Sequence, residues 1–452
     1  MPLDLFQAKK MRKVTSLSIS VPGIVFLSAL IFLNGGCTKK QISASASEPQ
    51  PTTEKTENTS KINSFNARVE AAQKFIERNP SAASGYNQLT VAYIQAAREN
   101  GDFSLNSKAE AANNRALEIE PQNADAIRLK ANLLLVFHRF QEALETANQL
   151  RQTNPQDAFV YGVLTDANVE LGNYPEAVKA AQQMVDLKPN LESYARVSYL
   201  RSLHGDSAGA IEAMKTAAQI ASATDKESRA WCLTHLGEEY FKIGNYAEAE
   251  KYYDAALQAM PDYHLALAGK GRSRAANSDF ETAIKFLTAA QNRVPLTDLA
   301  ISLGDIYTRI GKSEEARKQY DLAEFVEQKF GNREQRTLAL LWADQDRKLD
   351  EALEIARRES ETRRDVYTAD VLAWCLYKKG DFVGAKKAIG EAMRLKTKDA
   401  RILYHAGMIE KALGNRKAAA DFLKKALETN PAFDFVQAEN AKQALTETSR
   451  NA

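Results

Sequence analysis

The sequence predicts an all-α solenoid of stacked helix–turn–helix units, and three observations carry that expectation. Its composition is that of a helical globular chain: 452 residues, 44% hydrophobic and 26% charged, with only 21 Gly and 12 Pro. Its punctuation recurs at a fixed period: Pro121, Pro155 and Pro189 stand 34 apart, as do Pro261 and Pro295, and Gly380 and Gly414. Between these marks one unit returns, made of an apolar helix, a Gly turn, an aromatic and then Ala on a second helix. Each mark has a cause. Gly adopts the left-handed conformation that ends a helix, Ala lets two backbones approach, and Pro stops the second helix.

The same arithmetic excludes other classes. Sixty Lys+Arg against 58 Asp+Glu leaves +2, so no bulk charge marks a nucleic-acid binder. Three cysteines exclude a disulfide-built scaffold. Five histidines, the closest pair being His235 and His264, form no metal-binding cluster.

Residues 1–37 read as an address. Lys9, Lys10, Arg12 and Lys13 precede the apolar run 21–33, and small residues follow, which is the order of a secretory signal. Gly35 and Gly36 immediately before Cys37 resemble the lipobox of bacterial lipoproteins, with Asn34 where that family usually has Leu. The resemblance implies a lipid on Cys37 and a place in the cell envelope, facing the periplasm. Thr38 is not the Asp that resembles an inner-membrane retention signal. An uncleaved single-span anchor and cleavage after Ala46 are the alternatives. All three lead out of the cytoplasm. Residues 38–61, rich in Ser, Thr, Gln, Glu and Pro and without an aromatic, read as a flexible tether with a reach of ~25–30 Å.

Residues 62–81 are expected to cap the array, 82–431 to form about nine or ten repeats, and 432–452 to close it with a helix and tail. The unit at 158–189 shows the pattern most fully, with Tyr161, Leu164, Gly172, Tyr174, Ala177, Ala181 and Pro189. Leu236, Gly237, Tyr240, Ala249, Tyr253 and Pro261 repeat it, as do Leu303, Gly304, Tyr307, Ala316 and Tyr320. The unit at 334–362 lacks its turn glycine, and 222–229 is an insertion expected to bend the stack. The pattern resembles the tetratricopeptide repeat, a helix–turn–helix unit of 34 residues. That resemblance implies a right-handed superhelical solenoid, with the first helix of each unit lining a concave groove.

No motif for chemistry stands out. Gly269-Lys270-Gly271-Arg272 lacks phosphate-loop spacing and falls within a helix, and no HExxH occurs. Cys232 and Cys375 sit on units that would not touch in a rod-like stack, so both are expected to be buried free thiols. Pairs such as Glu238-Glu239 and Glu314-Glu315 read as solvated charge. No catalytic residue, metal or cofactor is expected.

What remains is a binding surface. The resemblance places Asp166, Tyr199, Trp231, Glu238, Arg272, Asp305, Trp374, Tyr377 and Tyr404 along the groove. Tyr199, Trp231 and Arg272 form its leading patch, since aromatics and Arg dominate binding energies. Packing between units is the competing role for the tryptophans and tyrosines. Mixed charge points to a protein or peptide partner, with no nucleic acid and no small-molecule substrate. The expected function is a non-enzymatic adaptor of the bacterial cell envelope, membrane-held through its N-terminus. The alternative is a permanent structural subunit of an envelope assembly, for outer-membrane biogenesis or polysaccharide export.

Overall fold

The computed structural model describes residues 67–100, 102–330 and 335–450, together with a short antiparallel pair, Ile24–Phe26 with Ser28–Leu30. The signal expected at 1–37, its Cys37 and the 38–61 tether otherwise lie outside the described residues. Among the described residues no helix is long and apolar enough to cross a membrane.

Among the described residues the chain is an all-α solenoid, 80% helical. Helix α1 spans 67–78. Helices then alternate as first and second members of repeats. The pairs are α2 (Ala83–Asn100) and α3 (Leu105–Ile119), α4 (Ala124–Val136) and α5 (Phe140–Thr153), and α6 (Ala158–Glu170) and α7 (Tyr174–Leu187). Next come α8 (Leu191–Leu203) and α9 (Ser207–Ile220), α10 (Lys226–Lys242) and α11 (Tyr246–Ala259), and α12 (His264–Ala276) and α13 (Phe280–Arg293). The last are α14 (Thr297–Arg309) and α15 (Ser313–Phe330), α16 (Arg336–Asp344) and α17 (Leu349–Thr362), α18 (Val366–Lys378) and α19 (Phe382–Ala392), and α20 (Ala400–Ala412) and α21 (Arg416–Thr429). Helix α22 (Gln437–Arg450) stands alone and buries Ala438, Ala441 and Ala444.

Nine turns inside these pairs share one geometry. A left-handed residue ends the first helix, and the next amide reaches back to the carbonyl five residues earlier. Asn245 donates to the Tyr240 carbonyl at 3.0 Å, and Lys312 to that of Tyr307 at 2.8 Å. Glycine holds the left-handed place at 172, 205, 244, 311, 380 and 414. His138, Ser278 and Asp346 hold it at φ 55°, 63° and 49°. The repeat without a turn glycine therefore keeps the turn, because the fold supplies a bond that offsets the ~1–2 kcal/mol cost of that conformation. The 222–229 insertion is partly helical: Asp225 accepts the Ser228 amide at 3.1 Å and so starts α10.

Helices pack through small residues against aromatics. Tyr253 of α11, fully buried, lies against Gly237 of α10 and Gly269 of α12, where any Cβ would overlap its ring. One aromatic thus joins its own repeat to the next.

Among the described residues contacts divide the chain into one unit that ends at Asp166 and another that begins at Ala167. In the first, Ala83, Ala116 and Ala126 form one small core and Ile94, Ala109 and Leu133 another. The Asn113 amide donates to the Ala126 carbonyl at 2.9 Å, joining α3 to α4.

Residues 167–452 fold back on themselves, which overturns the expectation of a rod whose distant repeats never touch. The linkers before α18, α20 and α22 rest on the turns after α6, α8 and α10. Arg364 N–H donates to the Glu170 carbonyl at 2.9 Å, and Val366 N–H to the Tyr174 hydroxyl at 2.9 Å. Thr397 Oγ1 donates to the Leu203 carbonyl at 2.5 Å. Asn430 Nδ2 donates to the Phe241 carbonyl at 3.0 Å, while Tyr246 takes the Ala432 amide at 3.1 Å. A Cβ on Gly172 or Gly205 would stand 2.5 or 2.6 Å from the carbonyls of Arg364 and Lys396. These glycines serve both the turn and the close approach. Backbone groups that the approach takes out of water are satisfied by these bonds. Cys232 and Cys375 remain buried free thiols, and burial pushes the Cys375 thiol up to about 12.

A buried ionic group sits at the first of these contacts. Arg363, 3% exposed, pairs with Glu170 and lies 3.5 Å from Asp365, which also takes Arg336 Nη1 at 3.1 Å. Burial alone would raise the Asp365 carboxyl, but Arg336, Arg363 and Thr368 outweigh it and hold it below its ordinary range. Removing one member leaves its partners buried and uncompensated. Arg363→Ala is expected to cost about 3–5 kcal/mol in urea unfolding. Arg293→Ala, which breaks an exposed pair with Asp262, is expected to cost at most about 1 kcal/mol. Equal costs would show that the fold-back contributes nothing to stability.

Candidate functional site

The fold-back gives residues 167–452 an inward face, because first helices of distant repeats converge. Tyr199 of α8 packs near Tyr367 of α18, on a cluster of Val169, Leu200, Leu203 and Val366. Phe435, in the linker to α22, packs on a cluster of α12 and α14 residues that includes Leu267, Leu299 and Leu303. Phe433 from the same linker meets the Tyr404 ring at 5.6 Å.

The predicted strip separates into groups. Asp166 is buried at the end of the first unit. Tyr199 is half-buried, its hydroxyl pushed well up by burial and then by Tyr367. Trp231 is 2% exposed and its ring centroid lies 4.1 Å from that of His235. Glu238 is brought onto Arg272 at 3.1 Å and onto His235 at 3.2 Å. Trp374 stacks on Tyr377 at 4.8 Å and meets Tyr404 at 5.6 Å. Trp374 and Tyr404 are each 2% exposed, so packing is a large part of their work. Asp305 accepts from the Tyr320 hydroxyl at 2.8 Å.

Sequence reasoning missed the groups that surround these residues. Asp344, the last residue of α16, accepts from Trp374 Nε1 at 2.7 Å and from Gln437 Nε2 at 2.5 Å. His405 of α20 is fully buried, stacks on Trp374 at 4.1 Å, and holds Asp370 through Nδ1 at 2.8 Å. Arg401 of α20 and Asp434 of the linker share this space electrostatically with Asp344.

Partners decide the electrostatics. Glu238, Asp305 and Asp344 all touch some solvent, yet protein surrounds each, and burial is the largest influence on each. For Glu238, the opposing pulls of His235, Arg272 and Lys242 win and hold the carboxyl at about 2. Asp305 is pushed well above its ordinary range by burial and then by Asp434. Asp344 is pushed up to about 6 by burial and Asp434, against His405 and Arg401. One part of the inward face is therefore charge-balanced and the other is short of positive charge.

Comparison with known proteins gives the repeat a name. Residues 128–192 and 235–296 match one tetratricopeptide repeat family, and 400–433 match another. No curated protein matches the chain. Among solved structures, PilW, a type IV pilus biogenesis factor, is similar at 16% identity, over 46% of this chain and 94% of that one, with a TM-score of 0.38. A tetratricopeptide repeat protein from Parabacteroides merdae is similar at 21% identity, over 57% of this chain and 98% of that one, with a TM-score of 0.34. The human IFIT1 dimer with PPP-AAAA is similar at 13% identity, over 76% of this chain and 90% of that one, with a TM-score of 0.45.

The raised Asp344 carboxyl has a pH consequence. The fold favours its protonated form, so that contribution is full below the ordinary value of 3.8 and is lost as pH rises through about 6. Asp344→Asn keeps the oxygen that accepts from Trp374 and Gln437. In urea titrations the variant is expected to exceed wild type by on the order of 2 kcal/mol at pH 8 and to lose that margin by pH 4. A margin constant with pH would contradict the assignment. With the nine turns and the matches above, the chain is an all-α solenoid that carries tetratricopeptide repeats.

Proposed function

We propose that the chain is a non-enzymatic protein-binding scaffold that holds a polypeptide segment against the inward face of residues 167–452. The observation that carries this reading is the set of half-buried charged and aromatic side chains gathered there: Tyr199, Glu238, Arg272, Asp305, Asp344 and Tyr377. Such groups exclude water in part and still offer polar ends, which is where binding energy concentrates. Among the described residues no group of three or more His, Cys, Asp or Glu is placed to hold a metal ion.

A permanent subunit would show a broad apolar outer surface. The large hydrophobic residues exposed among the described ones are Phe103, Ile220, Ile243, Phe325 and Val383, five side chains that come from five different places in the sequence. That scatter favours the adaptor. The N-terminal signal pattern and the Gly35-Gly36-Cys37 sequence support a lipid-held site in the cell envelope, with the repeats facing the periplasm.

Two experiments test these parts. Arg272→Glu should reduce capture of the in-cell crosslinked partner about tenfold or more while the far-ultraviolet circular dichroism stays unchanged. Capture that persists would remove the inward face from the binding site. Cys37→Ser should move the protein from the membrane fraction to the soluble one, and continued membrane association would refute the lipid anchor.

A further inference from the structure

The inward face near α14, α16 and α20 holds more acid than base. Among the described residues Asp305, Asp344 and Asp434 act on one another and on Arg401 electrostatically, and the linker that carries Asp434 also sends Gln437 Nε2 to Asp344 at 2.5 Å. Asp434 spends one oxygen on the Val436 and Gln437 amides, at 2.9 and 2.8 Å. Asp305 and Asp344 each have one oxygen engaged, by Tyr320 in the first case and by Trp374 and Gln437 in the second. Asp370 is already answered by His405.

Two buried side-chain atoms near this place are left without a partner, and that of Gln437 is an acceptor. Gln437, 6% exposed, gives its Nε2 to Asp344 and leaves Oε1 buried and unpaired. Exchanging its amide atoms would set oxygen against the carboxylate, so the orientation is fixed by chemistry. His405, fully buried, directs Nδ1 to Asp370 and leaves Nε2 unpaired. A buried acceptor such as Gln437 Oε1, left without a donor, costs free energy until one is supplied. A site with spare carboxylate oxygens and an unused amide oxygen is complementary to a group that is cationic and rich in N–H donors.

We propose that this cluster binds the ammonium or guanidinium group of a Lys or Arg side chain on the polypeptide partner. The proposal rests on the scaffold reading and narrows it. The bound segment is basic at this point, and Asp305, Asp344 and Gln437 Oε1 accept its N–H groups. Asp434 and Gln437 come from the linker to α22, so the chain completes the site with its own C-terminal segment. Both faces of Trp374 are occupied, by His405 and by Tyr377, so recognition here is by hydrogen bonds and charge.

The test is calorimetric titration of the full chain with three capped tripeptides, Ala-Lys-Ala, Ala-Arg-Ala and Ala-Glu-Ala, at low salt. The Lys or Arg peptide should bind at least about tenfold tighter than the Glu peptide. Asp305→Asn with Asp344→Asn should weaken that binding by about tenfold or more without lowering the unfolding temperature. Glu281→Gln, on the exposed surface of α13, should leave that binding unchanged. Equal binding of the Glu peptide, or binding indifferent to the Asp variants, would overturn the proposal. So would saturable binding of magnesium chloride alone that the same variants abolish, since that would make the site a metal site. Failure of the basic peptides while partner capture still depends on Arg272 would remove the cation site and leave the scaffold reading standing.

Discussion

The hydrogen bond from the Arg364 amide to the Glu170 carbonyl, with the Arg363–Glu170 pair beside it, is the constraint on which residues 167–452 depend. It sets one coil of the solenoid on another, and the same contact recurs at Leu203 with Thr397 and at Phe241 with Asn430. Turn glycines make it possible. Gly172 and Gly205 are left-handed where a helix must end, and they are also bare where a carbonyl must approach. One residue type thereby meets a local and a long-range demand together.

Fold-back changes what the first helices face. In an open solenoid their inner side chains would look into solvent, whereas here they look across at other repeats. The response depends on local partners. Glu238, near three basic groups on its own and the next repeat, stays ionised under every ordinary condition. Asp305 and Asp344 meet Asp434 instead and are pushed the other way. The linker that supplies Asp434 also seats Phe433 and Phe435 on the inner wall. Covering apolar surface there brings a carboxylate into a place already rich in them.

Much of the fold was legible because its causes are local. Proline and glycine marks at a common spacing fixed the repeat, and the strip residues Asp166, Tyr199, Glu238, Arg272, Asp305 and Trp374 each stand six before a left-handed turn residue. Three turns escaped notice because His138, Ser278 and Asp346 take the glycine position. The unit at 334–362 lacks the turn glycine from which the inward positions of its neighbours are counted, so nothing singles out Asp344. The fold-back was illegible for a deeper reason. It joins backbone groups nearly two hundred positions apart, such as Glu170 with Arg364, and backbone carries no residue signature. Asp434 and Gln437 belong to a segment whose pattern shows only a capping helix, so nothing in sequence brings them to Asp344.

Hydrogen–deuterium exchange of the full chain tests the fold-back most directly. The amides of Arg364 and Ala432 lie in linkers and that of Val366 at the first position of α18, where no helix bond slows exchange, yet each donates to a group on a distant repeat. The account predicts protection comparable to helix-interior amides of α18 and α20, with all three opening together. Fast exchange at these amides beside protected helices would show an open solenoid, and the inward face would then be an ordinary exposed groove.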